Sequence, residues 1–205
     1  MDRLFQEIAL FAPAVLFNIY FAVASIPLGF VFAVVLALGK ASPNPLISRL
    51  SRGYIYAFRG SPLFIQFFMV YSLALSFNVA LLKPWGISWL VLHPLFIGPL
   101  VLTLNTGAYT AEIFYGALRA VPRGEIEAAR AYGMSRAQQF RHVVWPNLIR
   151  LAWPAYTNEV VFLFHATASV SFPLPVIVQQ KAFLTRANDL FKRDSNAFVH
   201  FWVAV

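Results

Sequence analysis

Long uncharged stretches alternate with shorter polar ones along this chain. From Ile8 to Gly39 no charged residue occurs, well past the roughly 20 residues that cross a hydrocarbon core. The mixed-charge start, with Asp2, Arg3 and Glu7, and the length of that run predict a true span rather than a cleavable leader. The span is therefore long or tilted, or it starts as an interfacial segment around Phe11, Pro13 and Phe17. Lys40 to Arg59 reads as a polar connection carrying Lys40, Arg49, Arg52 and Arg59, and Gly60 to Leu82 is again uncharged. Lys83 to Leu95, with Pro84, Trp85, Gly86, Trp89 and His93, reads as a turn at an interface, where aromatic rings prefer to lie. A third run, about Phe96 to Leu118, holds the polar cluster Asn105, Tyr109, Thr110 and Glu112. A fourth, about Leu148 to Phe172, holds Pro154, Asn158, Glu159 and His165, and Pro173 and Pro175 end it. Val176 to Asn196 is polar and mixed in charge, the pattern of a surface helix and loop. Ala197 to Val205 opens a fifth apolar run whose nine residues rise only about 14 Å, so the natural chain is expected to continue past Val205.

Between the third and fourth runs lies the longest polar segment, Pro122 to Pro146, which reads as two short helices. Pro122 suits a first turn, Glu125 and Glu127 place negative charge near a helix N-terminus, and Gly133 accepts the left-handed conformation that ends a helix. Ser135 and Gln138 then have capping-box spacing, and Pro146 is expected to stop the second helix. Taken alone, this helix, Gly turn and basic helix also fit a DNA-binding helix-turn-helix.

Composition decides against that reading. Hydrophobic residues make up 60% of the chain and charged ones 12%, against about 25% charged in a soluble domain, and mean hydropathy is +0.67. This is the composition of a polytopic membrane protein, in which a loop held between spans cannot lie freely in a major groove, so no nucleic-acid partner is expected. The absence of Cys removes disulfides, thiolate metal sites and Cys nucleophiles. The net charge of +8 matters through its placement. With the N-terminus outside, inner connections hold ten of the 16 Lys and Arg residues, from Lys40 to Arg59 and from Arg119 to Arg150, and outer ones hold six. The bias puts the polar segment in the cytoplasm. No G-x-x-x-x-G-K-[ST] string occurs, so no ATP hydrolysis is expected in this chain. No catalytic triad signature, HExxH pair or metal-ligand spacing occurs either, and the four His residues are scattered.

Glu127-Ala128-Ala129, three residues, Gly133, nine residues, then Val143-Val144-Trp145-Pro146 resembles the EAA loop of ABC-importer permeases, with Val143 and Trp145 at the Ile and Leu positions of that pattern. Phe58 to Leu63, Asn105 to Ile113 and Pro154 to Val160 are similar to segments of the polar amino-acid permeases. Gly124 to Gly133 and His165 to Ala168 are most similar to the histidine, lysine, arginine and opine members.

The resemblance implies an all-α fold of the type I importer kind. Residues 1–205 would form a single transmembrane permease domain of five helices, the fifth incomplete, with a cytoplasmic coupling loop at 122–146. It implies an inner-membrane subunit that imports a basic amino acid (histidine, lysine, arginine, ornithine) or opine by alternating access. The partners implied are a second, homologous permease subunit, two ATPase subunits that bind ATP and Mg, an external solute-binding protein and membrane lipid. No cofactor is implied in this chain. In such a loop Glu127, Ala128, Ala129, Gly133 and Pro146 would couple the ATPase to the spans. Alternatively, Ala128 and Ala129 pack against the chain's own helices. A different class of reading is a membrane scaffold or receptor subunit without transport, against which the intact EAA pattern argues.

Ionisable groups at membrane depth cost about 2.5–3.5 kcal/mol on insertion scales, so each needs a reason. Asn105, Tyr109 and Glu112 follow i, i+4, i+7 spacing and share a helix face. A carboxylate there would neutralise a cationic substrate or, alternatively, pair with Arg119 or Arg59. Asn158 and Glu159, with Thr157 or Tyr156, form a second candidate for the substrate path. Gln66, Tyr71 and Asn78 are expected to serve helix-helix hydrogen bonding.

Overall fold

The computed structural model describes residues 2–77 and 93–169, and among these every regular element is helical. α1 spans Asp2–Lys40, α2 Pro45–Gly60, α3 Leu63–Phe77 and α4 Pro94–Ala120. α5, Arg123–Ala131, and α6, Arg136–Gln139, form the polar hairpin, and a π-turn at Phe140–Val144 leads into α7, Trp145–Ser169. Asn78, the interfacial turn from Lys83 up to residue 92, the prolines at 173 and 175, the polar stretch from Val176 and the fifth apolar run lie outside the described residues.

The stretch from Lys40 to Arg59, expected to be a polar connection, is helical from Pro45. The start is coded locally. Asn44 Oδ1 accepts the Leu46 N–H at 2.9 Å, and Pro45 occupies the first turn, where no N–H is needed. α4 starts the same way, with His93 Nδ1 accepting the Leu95 N–H ahead of Pro94. Through Val15–Lys40, 26 residues, α1 is long and apolar enough to cross a bilayer by itself, and α2 with α3 reach that standard as a pair. α4 and α7, at 27 and 25 residues, have the length but carry the polar clusters.

Two compact units emerge. The first takes the described parts of Met1–Pro27, Ser61–Thr103 and Phe162–Val205. Its core is Phe17, Phe21, Phe67, Ile97, Val101, Leu102 and Leu163. Pro99, inside α4, has no N–H to give the Leu95 carbonyl, and the Tyr20 hydroxyl donates to that carbonyl at 3.0 Å instead. Gly98 lies against the Phe21 ring, leaving no room for a Cβ. Gln66, buried at the start of α3, donates to the Ser61 carbonyl and hydroxyl, both at 3.0 Å, so these bonds stay within its own helix start.

The second unit comprises Leu28–Gly60 and Leu104–Val161. Its core is rich in alanine, with Ala33, Ala37, Ala111, Ala117 and Ala152 beside Leu36, Ile55, Phe114 and Leu148. Small side chains let helix backbones approach closely where lipid offers no hydrophobic driving force. Phe30 meets Phe114, Trp145 and Tyr156 edge to face, with centroids at 5.1, 6.5 and 5.5 Å. Each such pair contributes about 0.5–1.5 kcal/mol beyond area burial. Every residue discussed in the next subsection belongs to this unit.

Candidate functional site

The polar hairpin is built by two local devices. α5 ends in a Schellman motif: Gly133 adopts φ +75°, its N–H donates to Arg130 O at 2.9 Å, and the Met134 N–H donates to Ala129 O at 3.1 Å. α6 then opens with a capping box, the Ser135 hydroxyl accepting from the Gln138 N–H and the Gln138 side chain accepting from the Ser135 N–H at 2.8 Å.

Pro146 does not end this second helix. The chain passes through the π-turn and runs on as α7, with Pro146 at its second residue. A π-turn widens the backbone just where the proline ring would clash with the preceding turn and where the missing N–H would break an i→i−4 bond. Asn147 bridges the hairpin and α7, its amide donating both to Val143 O at 3.0 Å and to the Glu125 carboxylate.

The EAA residues divide by direction. Glu127 and Ala128 are exposed, whereas Ala129 is buried against the chain's own structure at 4% exposure. Gly133 and Pro146 are exposed. Val121 and Leu148, at the two roots of the segment, are both buried. The hairpin therefore projects an open face while its roots are packed into the unit.

A second cluster gathers around Glu112. Lys40 Nζ, at the end of α1, lies 2.5 Å from Glu112 Oε2, and Arg59, at the end of α2, lies 4.0 Å from the same oxygen. Tyr109 and Tyr115 bracket Glu112 at i−3 and i+3. Arg59 sits 5.4 Å from the Tyr109 ring centre and Lys40 4.3 Å from that of Tyr115. The Tyr109 hydroxyl donates to Arg59 O at 3.3 Å. Glu112 is thus the shared anion of two cations from two other helices, and Arg119 instead lies 6.0 Å over the Tyr115 ring. Sequence reasoning offered Arg59 and Arg119 as partners and missed Lys40, which is 72 residues away. Its one signal was its position as the first cation after a long apolar run.

Of the other polar candidates, Glu159 accepts a hydrogen bond from the buried Thr106 hydroxyl at 3.1 Å. Asn105, the neighbour of Thr106, is half-buried, and Asn158 is exposed. The structure therefore joins Tyr109 and Glu112 through Arg59, and joins α4 to α7 through Thr106 and Glu159.

Residues 11–180 match the family model described as binding-protein-dependent transport system inner membrane component. The chain is 40% identical over 158 residues to the histidine/lysine/arginine/ornithine transport system permease protein HisM of Salmonella typhimurium, covering 74% of this chain and 64% of that protein. It is 43% identical over 150 residues to the nopaline transport system permease protein NocM of Agrobacterium fabrum, covering 73% and 62%. The chain thus spans a little under two thirds of the length of these curated relatives. The crystal structure of an amino acid ABC transporter with histidines shares the fold, with a TM-score of 0.78 at 24% identity over 98% of this chain and 87% of that one. With a family match over most of its length and relatives near 40% identity, the chain belongs to the inner-membrane components of binding-protein-dependent transport systems.

Proposed function

We propose that this chain is a permease subunit of an ATP-driven, binding-protein-dependent importer for a basic amino acid or an opine. It works in the inner membrane as one permease domain of five spans, with its N-terminus outside and residues 122–146 in the cytoplasm. A homologous permease subunit completes the pore, two ATPase subunits bind ATP and Mg, and an external binding protein delivers substrate. The names of the relatives at 40% and 43% identity support the substrate class.

The observation that carries the reading is the hairpin's construction. Glu127 and Ala128 are open to a partner, Gly133 fixes the turn, and Ala129, Val121 and Leu148 are packed inward. A short helix held at both roots transmits a partner's rigid-body motion to the spans with no slack between. Substrate passes the polar faces of α4 and α7, where Asn105, Tyr109, Asn158 and Glu159 are the candidate contacts and Glu112 is held by Lys40 and Arg59.

The test is reconstitution of the permease pair with its ATPase and binding protein in proteoliposomes. ATP-dependent uptake of arginine, lysine, histidine, ornithine or an opine is expected. Uptake of a different substrate class would refute the specificity, and ATP hydrolysis with no uptake of any solute would favour a scaffold.

A further inference from the structure

α2 is built inside out. Its buried face is small and mostly polar, Ser48, Ser51 and Ile55, and Ser51 nests against Gly39 of α1. The opposite face exposes Leu46 and Leu50, each 65% exposed. Between the two lies a basic stripe: Arg49, Arg52 and Tyr56 recur at i, i+3 and i+7 and so share one side of the helix. Both arginines are exposed, neither enters an ion pair among the described residues, and Tyr56 is 83% exposed. No Asp or Glu occurs between Glu7 and Glu112, so no neighbour along the chain offsets this charge. Only Ala41 to Asn44 separate α2 from the end of α1, whose 26-residue stretch Val15–Lys40 is long and apolar enough to cross a bilayer, so α2 begins where that candidate span ends.

An apolar face beside a cationic stripe with a tyrosine needs a medium that is greasy on one side and anionic on the other. We propose that α2 is an interfacial helix whose Arg49 and Arg52 bind the phosphate headgroups of acidic phospholipids. Leu46 and Leu50 enter the acyl boundary, and Tyr56 lies at headgroup depth. Arg59 belongs to a different device, since it is turned to Glu112 and Tyr109. The inference rests on the membrane location of the family and not on any transported substrate.

The test places a reporter on the helix. The full permease complex carries Tyr56→Trp in a background where all other tryptophans, the five of this sequence among them, are replaced by phenylalanine. It is reconstituted in vesicles mixing phosphatidylcholine with phosphatidylglycerol, one or the other brominated. Quenching at position 56 reports which lipid sits there. A juxtamembrane arginine favours an anionic surface by about fivefold, so the pair predicts a preference for phosphatidylglycerol of about 25-fold. Arg49→Gln with Arg52→Gln should bring the ratio near one, whereas Arg49→Lys with Arg52→Lys should keep most of it. Equal quenching by both lipids in the parent, or a preference unchanged by the glutamine pair, would overturn the proposal. So would a lack of quenching by either lipid, which would show that a protein covers this face.

Discussion

Replacing Lys40 by Met and Glu112 by Gln, singly and together, separates a structural ion cluster from a substrate site. The geometry predicts unequal single costs. In Lys40→Met, Glu112 keeps Arg59 at 4.0 Å and remains one-third exposed, so the loss is that of one charged hydrogen bond, about 1.5 kcal/mol. In Glu112→Gln, the Lys40 side chain, only 14% exposed, is left facing Arg59 with no anion between them. Removing one partner of a fully buried pair costs about 3–5 kcal/mol, and the partial exposure here puts this variant at about 3 kcal/mol.

The double variant leaves no unpaired charge at Lys40 or Glu112 and should cost no more than about 1.5 kcal/mol. The cycle then gives a coupling of about 3 kcal/mol, at the upper end for contacting residues. For a chain of this size 3 kcal/mol lowers Tm by about 6–12 °C, measurable by thermal unfolding of the detergent-solubilised protein. Additive single effects, or a larger loss in Lys40→Met than in Glu112→Gln, would refute the shared-anion assignment.

Three further outcomes follow from local geometry. Gly133→Val puts a β-branched residue at φ +75°, a strain of at least about 1–2 kcal/mol, and should leave ATP hydrolysis running without uptake while the protein stays in the membrane; normal uptake would sink the coupling role. Ser135→Ala removes the capping box of α6 and should cost about 1 kcal/mol, seen as faster proteolysis of the hairpin, with no change expected if the cap is idle. Tyr20→Phe leaves the Leu95 carbonyl without the donor that Pro99 cannot supply, a loss of about 0.5–1.5 kcal/mol for this exposed bond read as a lower Tm, and Pro99→Ala should rescue it; failure of the rescue would show that the hydroxyl matters for another reason.

The features legible in the sequence were those set by near neighbours. The left-handed Gly133, the Ser135 and Gln138 capping box and the helical character of the apolar runs each depend on residues within about one turn. Two things were not legible. The π-turn at Phe140–Val144 turns a proline that ordinarily stops a helix into one that is accommodated, and the residue that follows it, Trp145, packs on Phe30, more than a hundred residues away. Arg59 was among the partners the sequence offered for Glu112, but Lys40 required knowing that the end of α1 meets the same turn of α4. Helix α2 was hidden for another reason. Apart from Ile55 its aliphatic residues face outward and serines face inward, so its period reads as a polar connection when apolar positions are taken to point inward.

Glu112 and Glu159, the carboxylates of α4 and α7, differ in what surrounds them, and that difference separates their proposed roles. Glu112 is already neutralised by Lys40 and Arg59. Glu159 forms no ion pair among the described residues; its Oε1 accepts from the Thr106 hydroxyl, and Arg59 acts on its charge from a longer distance. A carboxylate within a membrane protein carries a cost that an ion pair or a function must offset, and under the proposed import of a basic amino acid the cation that would pair with Glu159 is the substrate. Glu159→Gln should therefore weaken arginine or lysine uptake by at least tenfold while sparing a neutral amino acid, because the amide keeps the Thr106 hydrogen bond and loses only the charge. Glu112→Gln should depress both substrates alike, through the stability lost when Lys40 and Arg59 face each other. Proteoliposome uptake of matched cationic and neutral substrates decides it. An equal loss for both in Glu159→Gln, or a selective loss of the cationic one in Glu112→Gln, would exchange the two assignments.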